Sequence, residues 1–432
     1  MYYDAIEVLK SMKNLYINRN IICIDLKSFF ASVECVDRGL DPYTTPLVVC
    51  DPTQKGAITL AVTPYMKKLG IKGRCRVYEI PKNIKYIKVP PRMRLYQEKS
   101  KEVIKVYLEY IAAEDIHVYS IDECFLDVTD YLTLYNKSDY ELAVDIINRV
   151  KEKTGLTVTA GIGPNLLLAK VAMDIEAKHT PDNIAKWGYD DVKTKLWNIK
   201  PLSKMWGIGA RMEAHLNEMN MYKIGDVATS DINVLKKRFG VIGEELWLHT
   251  NGIDNSKISD MNNHVVKDKS YSHSQILHED YFDYNIPIII YEMIDVLCRK
   301  LRANKKLCSV ISFGIGYSHK VGGGFYHSVK HPTLTNNENE IYKVCMHIFD
   351  KYYNYAPIRK VALSFGKLVD DDNVQLNLFE SYEEVEKDKN LNNAIDEIKD
   401  RFGANTLLKA SSLLEHSTIK DRNNKIGGHN AG

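Results

Sequence analysis

The stretch ICIDLKSFFASVE, residues 22–34, sets the frame for the rest of the chain. Its first half belongs to a compact apolar strand from Ile21 to Ile24, closed by Asp25, and its second half opens the helix-like KSFFASVECVDRGL. An acid at a strand end has its backbone held by the sheet while its carboxylate stands at the sheet edge. Further along, residues 116–128 read as two strands around a tight turn, IHVYS, IDE and CFLDV, with Asp122 and Glu123 adjacent at the bend. Neighbouring side chains of a regular strand point to opposite faces, so two adjacent acids converge only where the backbone turns.

A strand-end aspartate facing a turn Asp-Glu is the hard, oxygen-rich donor set that suits Mg²⁺. Two such ions, roughly 3.5–4 Å apart, activate a hydroxyl and neutralise a leaving pyrophosphate. On spacing alone the plainer reading, a helix-capping Asp25 and a decorated turn, is the better one. The residues flanking the acids overturn it.

Outward from the acids, Pro46 to Cys50 is a further apolar strand, and a short helix is predicted from Pro64 through Leu69 with Gly70 as its stop. Other helices are predicted within residues 1–20 and near 95–113, 139–154 and 164–175, with the strand LTVTAGI before the last. Strands and helices mix without a strict βαβ repeat, which predicts an α+β sheet. After about Lys178 strand signals vanish and short helices run on to about Asn251. The polar, turn-rich residues 251–265 read as a linker. A second α+β module follows, with helices near Ile288–Ala303 and Glu338–Tyr353 and strands near Val310–Tyr317 and Lys360–Gly366.

The 432 residues predict several modules, and an apolar share of 45% excludes wholesale disorder. Net charge is only +2, but it is unevenly spread. Fourteen Lys/Arg face nine Asp/Glu between Lys267 and Lys367, whereas eight bases face thirteen acids from Asp370 onward. A basic module with an acidic tail suits a polyanion-binding body carrying a separate docking segment. The eight cysteines form no C-x-x-C pair and read as reduced core thiols. His327 and His331 have helical metal-ligand spacing but follow Gly322-Gly323-Gly324, so a solvated strand or loop is expected there. No signal-peptide core or membrane-length apolar run is present in the sequence, so a cytoplasmic protein without a membrane partner is expected.

The flanks of the acids carry a resemblance. ICIDLKSFFASVE and YSIDECFLDVT closely resemble the two metal-binding motifs of the Y-family DNA polymerases, which copy past lesions at low fidelity. The likeness continues in order through TVTAGIGPNLLLAKVA, MWGIGARMEAHL and KSYSHSQ, covering nearly the whole chain. It is strongest to the UmuC-like branch of Gram-positive bacteria and their mobile elements, whose tail pattern resembles LLKASSLLEHSTIKDRNNKIGGHNAG. It implies an α+β, right-hand-shaped polymerase with the palm at 20–28 and 94–177, fingers at 29–93, a helical thumb at 178–250, a linker at 251–266, a little finger at 267–369 and an acidic tail at 370–432, after an extension of residues 1–19.

The same resemblance implies that Asp25, Asp122, Glu123 and the Leu26 carbonyl hold two Mg²⁺ ions, with Phe30 as a steric gate against ribose and Phe29 beside it. Lys67 and Lys170 would meet the triphosphate, the first in place of a frequent arginine, without its bidentate fork. Pro64 stands near a frequent tyrosine, for which Tyr65 is a candidate substitute, and Lys27 stands where many relatives carry an acid or Asn. Gly207 and Gly209 resemble a helix-hairpin-helix turn that lets backbone N–H groups approach phosphate. Arg299, Arg302, Lys305 and Lys306 form a basic cluster expected on primer-template DNA. Gln375, Leu376, Leu378 and Phe379 fit a sliding-clamp-binding pentapeptide, and the distal tail suits an accessory protein. Two rivals are a catalytically silent clamp- and DNA-binding factor, which an intact acid triad argues against, and a nucleotide cyclase, which has no use for the thumb motif or clamp peptide.

Overall fold

A computed structural model describes residues 16–52, 56–263, 269–371 and 382–432. They divide into two units, residues 1–264 with 429–432, and residues 265–428. The helix expected in residues 1–20 and the pentapeptide at 375–379 fall largely or wholly outside the described residues.

The first unit is built on a five-stranded sheet. Its strands are β1 (Ile21–Leu26), β5 (Ile116–Val118), β6 (Glu123–Asp127), β7 (Val158–Gly163) and β8 (Ile184–Lys186), in the order β5-β6-β1-β7-β8. Only β7 and β8 run parallel. The β-branched run of β1 occupies the centre, where both faces are covered and its side chains are almost wholly buried. On one face Ile21, Cys23 and Phe125 meet Leu166, Ala169 and Met173 of the helix Leu166–Ile175. That helix lies directly on β7, because a Cβ at Gly161 would fall 2.0 Å from the Ala169 carbonyl oxygen, and one at Gly163 2.5 Å from the Ala169 nitrogen.

Two further helices of this unit show their sequence logic plainly. Asp139–Thr154 starts at a Ser138–Glu141 capping box and stops at Gly155, φ +71°. Pro64–Lys68 is capped by Thr63, with proline in its first turn. A three-stranded sheet, β3-β2-β4, carries the latter helix, with β2 at Leu47–Val49, β3 at Ala61–Val62 and β4 at Ile87–Val89. Short helices from Asp191 to Thr250 bury Leu196, Leu202, Leu216, Ile224 and Leu235 in a cluster of their own.

Two expectations need correction here. The strand Ile184–Lys186 lies where strand signals had vanished. The supposed linker at 251–265 contains a helix, Ile258–Asn262, because Ile258 is buried among Ile21, Cys23 and Phe125.

The second unit is an antiparallel sheet, β11-β10-β12-β9, formed by β9 (Tyr271–Tyr281), β10 (Lys306–Tyr317), β11 (Gly324–Thr335) and β12 (Ile358–Gly366). Helices Ile286–Ala303 and Glu338–Tyr352 bury Ile311, Phe313, Val361, Leu363 and Phe365 beneath them. The expected histidine pair lies on β11, where the His327 ring stacks on Tyr352 at 3.8 Å and His331 bonds Thr333.

Of the acidic tail, residues 382–428 fold as part of this unit. Its helix Tyr382–Phe402 sets Asp396 against Arg302, Lys399 against Asp295 and Asp400 against Arg299. Further on, Glu292 accepts from Ser417 and Thr418.

Candidate metal and nucleotide site

The two halves of the acid set meet across the β1–β6 ladder, where Asp25 is the direct partner of Glu123. Facing residues of an antiparallel pair project from the same side, so both carboxylates emerge on the face covered by Leu166–Ile175. Asp122 is drawn in by the bend: its carbonyl accepts from Leu26 N–H at 2.9 Å, and both Tyr119 and Ser120 N–H donate to the Glu123 carbonyl. Ser100 of the helix Met93–Tyr107 donates to the Ile121 carbonyl at 2.6 Å and pins the turn from behind. Ser120 Oγ donates to Asp122 Oδ1 at 2.7 Å, and Thr159 Oγ1 to the Asp25 carbonyl at 3.2 Å.

The acids are short of positive charge. Burial raises the Asp25 carboxyl above its ordinary range against the pull of Lys178, with Asp122 adding repulsion. Burial likewise raises Glu123, against the hydrogen bond from Lys170. Two lysines serve as counter-ions: Lys178 Nζ stands 2.9 Å from Asp25, Lys170 Nζ stands 2.8 Å from Glu123, and both bond Asp174. Among the described residues no three His, Cys, Asp or Glu side chains are already drawn into a metal cage. The donor chemistry nevertheless fits a divalent cation, which would relieve the repulsion that burial enforces on these oxygens.

The structure separates two lysines that sequence reading did not. Lys170 is buried and held between Glu123 and Asp174. Lys178, missed in the sequence, is more open and touches Asp25 directly. It sits in a 3₁₀ turn, Ala177–His179, that brings the chain back towards the acids. Lys67 is brought in by Pro64–Lys68; burial lowers its ammonium below its ordinary value although Asp25 opposes this. Lys27 bonds Asn183 and feels both Lys67 and Lys178.

Beyond the acids, Ser28 (φ +50°) turns the chain into the helix Phe29–Val36. Phe29 is buried, while Phe30 is half-buried and packs on Tyr96 with ring centroids 4.8 Å apart. Gly207 adopts φ +89°, and a Cβ at either Gly207 or Gly209 would meet nothing within 4 Å, so this turn presents bare backbone before the helix Ala210–Glu218.

In the second unit the basic cluster is largely committed elsewhere. Arg302 is buried, with Asp396 at 2.6 Å and Glu338 at 3.3 Å, and Arg299 pairs with Asp400 at 2.5 Å. Lys306 bonds Asp370. Arg302 is thereby corrected from a DNA contact to an internal ion-pair residue, because its acidic partners arrive from the folded-back tail and from Glu338. Lys305 remains exposed, at φ +49°.

The open side of the sheet has its own pattern. Register places Ser328, Ser312, Ser364 and Ser272 in one row, flanked by a row with Tyr326, Gly314, Ala362 and Ser274. Lys330 lies opposite Val310 in a further row, and Lys360 opposite Gly316 in another. Small hydroxyls and glycines edged by two lysines form a shallow surface that a sugar-phosphate backbone can approach closely.

With this geometry in hand, comparison with known proteins is direct. Residues 24–174 match the impB/mucB/samB family, residues 268–378 its C-terminal domain and residues 189–221 the HHH motif of the same family. The chain is 39% identical over 418 residues to a putative UV-damage repair protein, UvrX, of Bacillus subtilis, covering 95% of this chain and 97% of the relative. It is 32% identical to DNA polymerase IV 2 of the same organism, over 95% and 98% of the two chains. Among solved structures, a Y-family DNA polymerase chimera of Dbh and Dpo4 shares the fold, with a TM-score of 0.64 at 21% identity, over 81% of this chain and 99% of that one.

Proposed function

The chain belongs to the impB/mucB/samB family, and on that premise we propose that it is a template-directed DNA polymerase of the lesion-bypass kind, adding deoxynucleotides to a primer 3′ end. The observation that carries the chemistry is the Asp25–Glu123 pair across one sheet register, with Asp122 folded in beside it and lysines as counter-ions. Asp25, Asp122, Glu123 and the Leu26 carbonyl would hold two Mg²⁺ ions. Such ions, when bound, stabilise charge on the attacking 3′-oxygen and on the leaving pyrophosphate.

The remaining work falls to the chain's own side chains. Lys67 and Lys178, with Lys27 beside them, provide fixed positive charge for the triphosphate, and Lys170 keeps the acids from repelling one another. Phe30 presents a ring where a 2′-hydroxyl would clash, selecting deoxyribose by size. The Gly207–Gly209 turn and the serine-glycine face of the second unit suit phosphate contacts that ignore sequence. Gln375, Leu376, Leu378 and Phe379 remain a proposed sliding-clamp peptide, supported by their sequence alone.

The test is primer extension with Mg²⁺ on an undamaged template, comparing the intact chain with Asp122→Ala/Glu123→Ala. Extension by the former, lost in the latter, is the expected outcome. A well-folded chain that binds primer-template and clamp yet never extends would favour the catalytically silent factor.

A further inference from the structure

Glu34 is a carboxylate with no solvent exposure at its side chain, and the phosphoryl-transfer reading makes no use of it. It follows Phe30 by four residues on the helix Phe29–Val36, so its carboxylate and the Phe30 ring project from the same helix face. Both act on one neighbour, Tyr96 of the helix Met93–Tyr107. The Tyr96 hydroxyl donates to Glu34 Oε1 at 2.7 Å, and its ring lies 4.8 Å from the Phe30 ring, tilted by 46°. Phe29 closes the group, 5.4 Å from Phe30 and 6.3 Å from Tyr96.

The carboxylate is itself fastened. Arg92 donates through Nε at 3.0 Å and Nη2 at 2.7 Å, one bond to each oxygen, and Arg38 bonds it from its own helix. Burial opposes its charge, but the bonds from Arg92, Tyr96 and Arg38 outweigh burial and hold the carboxyl below its ordinary value.

A steric gate discriminates only as far as it resists displacement. The helix carrying Phe30 is a poor anchor by itself: it has eight residues, enters through a left-handed Ser28 and has no side-chain cap. Rings in tilted contact can slide past one another, whereas a hydroxyl bonded to an ion-paired carboxylate fixes the long axis of the tyrosine. We propose that Glu34 is a positioning residue for sugar selection, holding the Tyr96 ring so that Phe30 cannot retreat from a ribose. The proposal rests on reading Phe30 as the gate.

The experiment compares single-nucleotide insertion of a deoxynucleotide and its matching ribonucleotide by the intact chain, Phe30→Ala and Tyr96→Phe. Phe30→Ala should lose most of the preference. Tyr96→Phe keeps the ring and loses only the bond to Glu34. It should lower the ratio of the two kcat/KM values about tenfold, mainly through a smaller KM for the ribonucleotide. Its melting temperature should stay close to that of the intact chain. It is preferred to Glu34→Gln, which strips Arg92 and Arg38 of their counter-charge and endangers folding. If Phe30→Ala retains the preference, the gate reading fails and the role of Glu34 with it. If Phe30→Ala loses the preference while Tyr96→Phe keeps the full ratio, at whatever melting temperature, the positioning role is overturned and the gate stands.

Discussion

Lys170 and Lys178 are separated by only eight positions, yet their surroundings differ, Lys170 buried between Glu123 and Asp174 and Lys178 more open beside Asp25. The buried Lys170 is expected to matter for the acids themselves. Lys178→Ala should raise the KM for an incoming deoxynucleotide roughly tenfold or more with a smaller effect on kcat, as loss of a charge that acts mainly in binding predicts; steady-state insertion kinetics would read this. The acids add a pH dependence. Asp25 and Glu123 both lie above their ordinary values because of burial, so at lower pH a larger fraction holds a proton that a metal must displace. The rise in melting temperature produced by Mg²⁺ should therefore be larger at pH 8 than at pH 5.5, and a flat response would contradict the assigned ligands. Glu34 behaves in the opposite sense. Its folded value lies below the ordinary 4.5, so its contribution to stability is present above pH 4.5 and is lost as pH falls through the lower folded value.

At the scale of elements, the contact between β7 and the helix Leu166–Ile175 is decisive. A methyl at Gly161 would meet the Ala169 carbonyl oxygen at 2.0 Å and the Met173 nitrogen at 2.4 Å, and backbone cannot rotate away. Gly161→Ala should cost about 3 kcal/mol or more in urea unfolding, and it should depress kcat in whatever folds, because Lys170 rides on the displaced helix. Elements with local punctuation were legible in the sequence. The Ser138–Glu141 box and Gly155 mark a helix, and Thr63-Pro64 marks another. The strand Ile184–Lys186 was not legible, since three residues are too few for an alternation to register and only its parallel pairing with β7 makes it a strand. Ile258–Asn262 was hidden for a related reason: in a mostly polar stretch, Ile258 gains its meaning from the distant cluster that receives it. The acids and Phe30 stand out in the sequence because their neighbours form motifs. Lys178 was not, because a 3₁₀ turn places it, and Arg302 was misread because the sign of a charge does not name its partner.

For the molecule as a whole, residues 382–428 of the acidic tail are structural cladding of the second unit. Breaking its buried pair by Arg302→Ala or Asp396→Ala should cost about 3–5 kcal/mol, measured by denaturation, because one charge is left buried without its partner. The DNA contacts are expected elsewhere. Lys330→Ala and Lys360→Ala should each reduce the salt dependence of primer-template binding by about one unit of logarithmic slope, while a folded Arg299→Ala variant should leave it unchanged. The tail also changes the electrical character of that unit. Its acids cancel the arginines of the helix Ile286–Ala303, and no acid lies in the register rows that carry Lys330, Lys360 and the serines. Among its described residues the arginines of that helix are thus paired, while Lys330 and Lys360 have no acid in their rows. Near a polyanion a body with unevenly paired charge experiences a torque before it experiences contact, and collisions become pre-aligned encounters whose frequency falls as salt shortens the reach of the field.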